Sequence, residues 1–143
     1  MKLRSIIFTL TICLSSISFA YETGSVSINA KNGRCGHHIE QNATYNLQIL
    51  NDTAKPKIHH IEYTLCSDAL FSSPVCIKQY EDIFLNPGEA YNKSRSISAS
   101  LILGDVKSNH HPLISANIFD WERIDNPGKY ISRNYVTEHC DHS

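Results

Sequence analysis

The stretch from Thr44 to Cys66, TYNLQILNDTAKPKIHHIEYTLC, contains two runs in which apolar and polar residues alternate. Tyr45, Leu47 and Ile49 fall on one side, with Asn46 and Gln48 on the other. Further on, Ile61, Tyr63 and Leu65 alternate with His60, Glu62 and Thr64. Successive side chains of an extended chain point to opposite faces, so both runs predict strands with one buried and one wet face. The residues between them, Asn51 to Lys57, are polar and include Pro56. Proline has no N–H to give to a central ladder, so this segment reads as a connection or an edge.

The rest of the chain repeats the pattern. Upstream, Ser25 to Lys31 alternates with Val26, Ile28 and Ala30 on one side, and Asn32-Gly33 follows as a turn signal. Arg34 to Asn42 is polar and reads as a loop. Downstream of Cys66, a loop from Ser67 to Pro74 (with room for one helical turn over Ser67 to Phe71) leads into two short runs, Val75 to Lys78 and Tyr80 to Leu85. Ser96 to Leu103 sets Ile97, Ala99, Leu101 and Leu103 against serines. Leu113 to Trp121 sets Ile114, Ala116 and Ile118 against Ser115, Asn117 and Phe119. Tyr130 to Thr137 reads as the last strand, and Asn-Pro-Gly turns stand at 86–88 and 126–128. Seven or eight short strands at this spacing, with no helical periodicity over a dozen residues, predict an all-β fold. The expected form is a small antiparallel β-sandwich of immunoglobulin-like topology, with a small barrel as the alternative. The likeness is architectural, because Trp121 follows both central cysteines, so the cysteine–tryptophan–cysteine spacing of antibody domains is absent.

Residues 1–20 read as a cleaved signal peptide. Lys2 and Arg4 precede the apolar run Ile6 to Phe19, and Ser18-Phe19-Ala20 supplies small residues at a cleavage point. The run is shorter than a membrane span and interrupted by Ser and Thr. The expected mature domain, residues 21–143, is long enough for one core. The whole chain carries 13 Lys and Arg against 14 Asp and Glu, and losing Lys2 and Arg4 moves its formal charge from −1 to −3. Mild acidity spread along the chain gives no electrostatic case for nucleic acid or an anionic membrane. The expected location is extracytoplasmic, periplasmic or secreted, with no transmembrane anchor left after cleavage.

Of five cysteines the leader takes Cys13, leaving Cys35, Cys66, Cys76 and Cys140. An even number in an exported chain predicts two disulfides. Cys66 with Cys76 and Cys35 with Cys140 is the favoured pairing among three. The long closure is worth on the order of 3–5 kcal/mol in the chain-entropy picture. A four-cysteine zinc site is disfavoured, because no C-x-x-C spacing is present.

Six of the eight histidines form adjacent pairs: His37-His38, His59-His60 and His110-His111. Neighbours on a strand face opposite sides, so His59-His60 is expected to be one packed and one solvated imidazole, not a chelate. A Cys35–Cys140 bond would gather His37, His38, His139 and His142 at one end, a set suited to zinc or copper. Unliganded loop histidines are the competing reading. Glu81-Asp82 and Asp120 with Glu122 read as solvated strand edges.

No nucleophile elbow, phosphate loop or dinucleotide fingerprint occurs. The sequence therefore predicts a non-catalytic binding protein, its partner a protein or another extracytoplasmic ligand. Trp121 and Tyr130 are the candidate contact residues, since aromatics with polar tips suit interfaces. Histidine-held zinc or copper is the alternative function. Asn42, Asn51 and Asn92 each begin a glycosylation sequon.

Overall fold

A computed structural model describes residues 21–29, 33–34, 38–67, 75–102, 113–121, 128–137 and 140–141. The expected signal peptide, Cys35, His37, His110-His111, His139, His142 and the helical turn expected after Ser67 lie outside the described residues. Among those described there is no helix. The strands are β1 (Tyr21–Asn29), β2 (Gly33–Arg34), β3 (His38–Leu50), β4 (Lys57–Ser67), β5 (Val75–Leu85), β6 (Ala90–Ile102), β7 (Leu113–Asp120), β8 (Lys129–Thr137) and β9 (Cys140–Asp141).

They form two antiparallel sheets, one ordered β1-β3-β6 and the other β5-β4-β7-β8, with β2 and β9 pairing separately in parallel. β3 and β4, the two strands of the Thr44–Cys66 stretch, are interior strands of opposite sheets, which makes this stretch the crossover between the layers. Their inward residues Tyr45, Leu47, Ile49, Ile61, Tyr63 and Leu65 meet Ile114, Ala116 and Ile118 of β7 and Ile97 and Ala99 of β6 in one buried cluster. Each fully buried Leu or Ile contributes roughly 1.5–3 kcal/mol of transfer free energy, so this layer dominates the stability. Tyr45 and Tyr63 meet edge to face, centroids 5.5 Å apart. The Tyr45 hydroxyl donates to the Thr64 carbonyl across the layers at 2.8 Å, giving a buried polar atom the partner it requires.

Two expectations change. β3 begins at His38, so much of the polar stretch Arg34 to Asn42 is strand: residues 38–42 pair with residues 98–102 of β6. Ladder pairing outweighs local polarity here, and Gln41 is buried. The runs Val75–Lys78 and Tyr80–Leu85 are one strand, because β4 pairs with β5 along its whole length, from Lys57 opposite Leu85 to Ser67 opposite Val75.

The β3–β4 connection is built on buried Asn51. Its side-chain amide donates to the carbonyls of Lys55 and Leu85, both at 2.9 Å, and its Oδ1 accepts from the Thr53 N–H and hydroxyl. Its backbone exchanges hydrogen bonds with Gly88 and Glu89 in the β5–β6 turn. Gly88 has φ of 80°, the left-handed conformation that glycine adopts at no steric cost.

β8 carries a bulge. Ile118 lies opposite Ser132 while Phe119 lies opposite Tyr130, so Ile131 is the extra residue. A one-residue insertion reverses the facing of everything beyond it. Ile131 packs on the core, Tyr130 turns to the outer face, and Lys129 turns inward opposite Asp120.

Candidate functional site

The outer face of the β5-β4-β7-β8 sheet follows from strand alternation and the observed registers. One row across it is Tyr80, Glu62, Phe119 and Tyr130. The next is Lys78, Thr64, Asn117 and Arg133, and the third is Cys76, Cys66, Ser115 and Tyr135. Trp121 stands one row beyond the first, just past the end of β7, where its backbone N–H donates to the His60 carbonyl at 2.8 Å.

These side chains make one connected surface. The Phe119 ring lies edge to face with Trp121 (centroids 4.7 Å) and with Tyr130 (4.9 Å). The Arg133 guanidinium covers the Tyr130 ring at 4.0 Å and reaches towards Tyr135 at 5.4 Å. Trp121, Tyr130 and Tyr135 are nonetheless 49%, 50% and 48% exposed, and Tyr80 is 66% exposed. Gly128 permits this packing: a Cβ there would stand 2.3 Å from the Phe119 ring and 2.8 Å from the Asp120 carbonyl.

Beneath the aromatics is a fixed polar floor. Glu62 is buried, and its carboxylate accepts from Trp121 Nε1 at 3.0 Å and pairs with Lys78 Nζ at 3.3 Å. A buried carboxylate demands such partners, and here they set the pose of the tryptophan. Asn117 donates from its amide to Thr64 Oγ1 at 3.1 Å, leaving a buried Oδ1 with no hydrogen-bond donor among the described residues. An open depression of about 290 Å³ lies above these groups and is closed on one side by the Cys66–Cys76 bond. The face thus offers aromatic rings and two cations, Lys78 and Arg133.

A second cluster lies inside, near the end of the sandwich where β1 and β4 begin and β7 ends. His59 Nδ1 is 2.8 Å from Asp120 Oδ2 and 3.1 Å from Glu22 Oε1, and Lys129 Nζ is 3.0 Å from Glu22 Oε2. The side chains of Glu22, His59 and Asp120 are at most 4% exposed. Burial alone would pull His59 down, but its hydrogen bonds to Asp120 and Glu22 raise it from 6.5 to about 9. Burial would likewise raise Glu22, yet His59 and Lys129 hold it at about 2. Asp120 is raised by burial and by the neighbouring Glu22 carboxylate. Across the molecule Glu81 is similarly engaged, accepting from Tyr91 at 2.7 Å and Arg95 at 3.0 Å.

Trp121 and Tyr130, the residues singled out for contact, are brought together through Phe119. Cys66 and Cys76 are directly opposed on β4 and β5 and bonded. The expected Cys35–Cys140 pairing falls on residues outside those described, though the backbone sets Cys140 opposite Gly33, two residues before Cys35 in sequence. The imidazole set His37, His38, His139 and His142 lies outside the described side chains. His59 is packed and His60 the more open of that pair, as alternation requires. Asp120 is a correction: it is fully buried, not a solvated edge, because it lies on the inward face of β7 against His59 and Glu22. Glu22 drew no attention in the sequence, where it precedes the first alternating run. Only the strand registers reveal that three distant acids and bases converge.

No protein family matches this chain, and no curated protein matches it by sequence. Solved structures similar to it in shape include the putative ApaA protein of Bordetella pertussis, at 9% identity and TM-score 0.37 over 87% of this chain and 97% of that one. A β-glucosidase of Kluyveromyces marxianus, solved with glucose, aligns at 11% identity and TM-score 0.42 over 85% of this chain but 14% of its own. A β-glucosidase of Erythrobacter marinus aligns at 9% identity and TM-score 0.39, over 84% and 16%. Similarity at this level carries no argument about activity.

Proposed function

We propose that the protein is an exported, non-catalytic binding module, periplasmic or secreted, that engages a partner protein through the outer face of the β5-β4-β7-β8 sheet. The observation that carries this reading is the continuous surface Trp121–Phe119–Tyr130–Arg133–Tyr135, held rigid from beneath yet half exposed along its length. Large exposed aromatic patches are uncommon on isolated domains, and Trp, Tyr and Arg are the residues that dominate protein interfaces. Rigid aromatics also lose little side-chain entropy on binding. Export is supported by the leader-like residues 1–20 and by the Cys66–Cys76 bond, since disulfides persist in oxidising compartments. The strand order, β1-β3-β6 against β5-β4-β7-β8, supports an immunoglobulin-like sandwich over residues 21–143.

A photo-crosslinking amino acid placed at Tyr130, and in a second variant at Ser98 on the opposite sheet, tests the reading in the organism that encodes the chain. A discrete adduct from position 130 and none from 98 is the expected result. Equal labelling from both positions would reject this face as the binding surface.

The alternative, zinc or copper held by His37, His38, His139 and His142, draws support from the β2–β9 pairing that brings the backbone of Cys140 beside Gly33.

A further inference from the structure

We propose that Glu22, His59 and Asp120 form a divalent-metal site, one imidazole and two carboxylates, that takes Zn²⁺ and fastens β1 to β4 and β7 across the two sheets. The residues come from three strands and both layers, and one ligand atom from each lies within 4.8 Å of the others. Tetrahedral zinc with bonds of about 2.0–2.1 Å sets its ligands about 3.3 Å apart, close to the 2.8 and 3.1 Å that separate His59 Nδ1 from its two oxygens. Three ligands leave a fourth position for water.

A second, independent observation points to a missing cation. Asp120 Oδ1 is buried and has no hydrogen-bond partner among the described residues. Two carboxylates buried side by side raise each other's demand for positive charge. Lys129 meets part of that demand from the rim, but its side chain is 58% exposed and free to swing into solvent. Binding therefore exchanges cations: the ion takes the lone pair of His59 Nδ1, the proton held there leaves to solvent, and the Lys129 ammonium withdraws from Glu22.

The test is Zn²⁺ titration of the oxidised, untagged chain by calorimetry and thermal melting. One ion per chain should raise Tm by about 5–10 °C at saturation. Lys129→Ala removes the competing ammonium and should tighten binding about five-fold, as for a half-exposed ion pair. Glu22→Gln should weaken it more than about ten-fold. No change in Tm with Zn²⁺ would overturn the site. So would binding that Lys129→Ala and Glu22→Gln both leave unchanged, which would place the ion on the loop imidazoles instead.

Discussion

Raising the pH without metal should weaken the protein in a window set by His59. Its folded value is about 9 against 6.5 for a free imidazole, so the native state holds a proton that the unfolded chain has lost. A group raised on folding contributes stability in full below the unfolded value, and that contribution fades as pH climbs through the folded one. The shift of about 2.5 units corresponds to about 3 kcal/mol at most, at 1.36 kcal/mol per unit. Asp120, raised in the same cluster, has the same sign and does not offset it, so a loss of about 2–3 kcal/mol is expected. Urea unfolding followed by Trp121 fluorescence, from about pH 6.5 to about pH 9.5, measures it directly. The upper limit stays below the titration of Tyr45, Tyr63 and Tyr91, all raised by burial. His59→Gln should flatten the profile. A wild-type profile already flat across this window would refute the charged imidazole between Glu22 and Asp120.

Other consequences follow from single residues. Asn51→Ala removes the side chain that ties residues 51–55 to Leu85 and should cost about 2–4 kcal/mol in urea unfolding, because the carbonyls it serves are left buried. Replacing Cys66 and Cys76 together with alanine should cost about 3 kcal/mol, the closure entropy of a loop of this length. Gly128→Ala drives a methyl into the Phe119 ring, so it should displace Trp121 and shift its emission while costing about 1–3 kcal/mol. In a glycosylating host, sugar should appear at Asn42 or Asn92 and not at Asn51, whose amide is buried and bonded.

Much of the sandwich is legible in the alternation itself. Tyr45, Leu47 and Ile49 point inward as their spacing predicts, and so do Ile114, Ala116 and Ile118. The polar start of β3 is not legible, because pairing with β6, forty or more residues away along most of its length, makes it strand. Trp121 and Tyr130 stand out by type, but their meeting depends on the bulge at Ile131, which no local signal announces. The cluster at His59 is the least legible. Glu22, His59 and Asp120 are 37 and 61 residues apart in sequence, and each alone resembles an ordinary surface group.

The most direct test of the binding face uses Trp121, the chain's single tryptophan. Once a partner is identified by crosslinking, its tryptophan-free form should shift Trp121 emission to the blue on titration, and Tyr130→Ala should weaken the interaction by about 2 kcal/mol or more. A complex that forms at full strength with Trp121 emission unchanged would contradict the account.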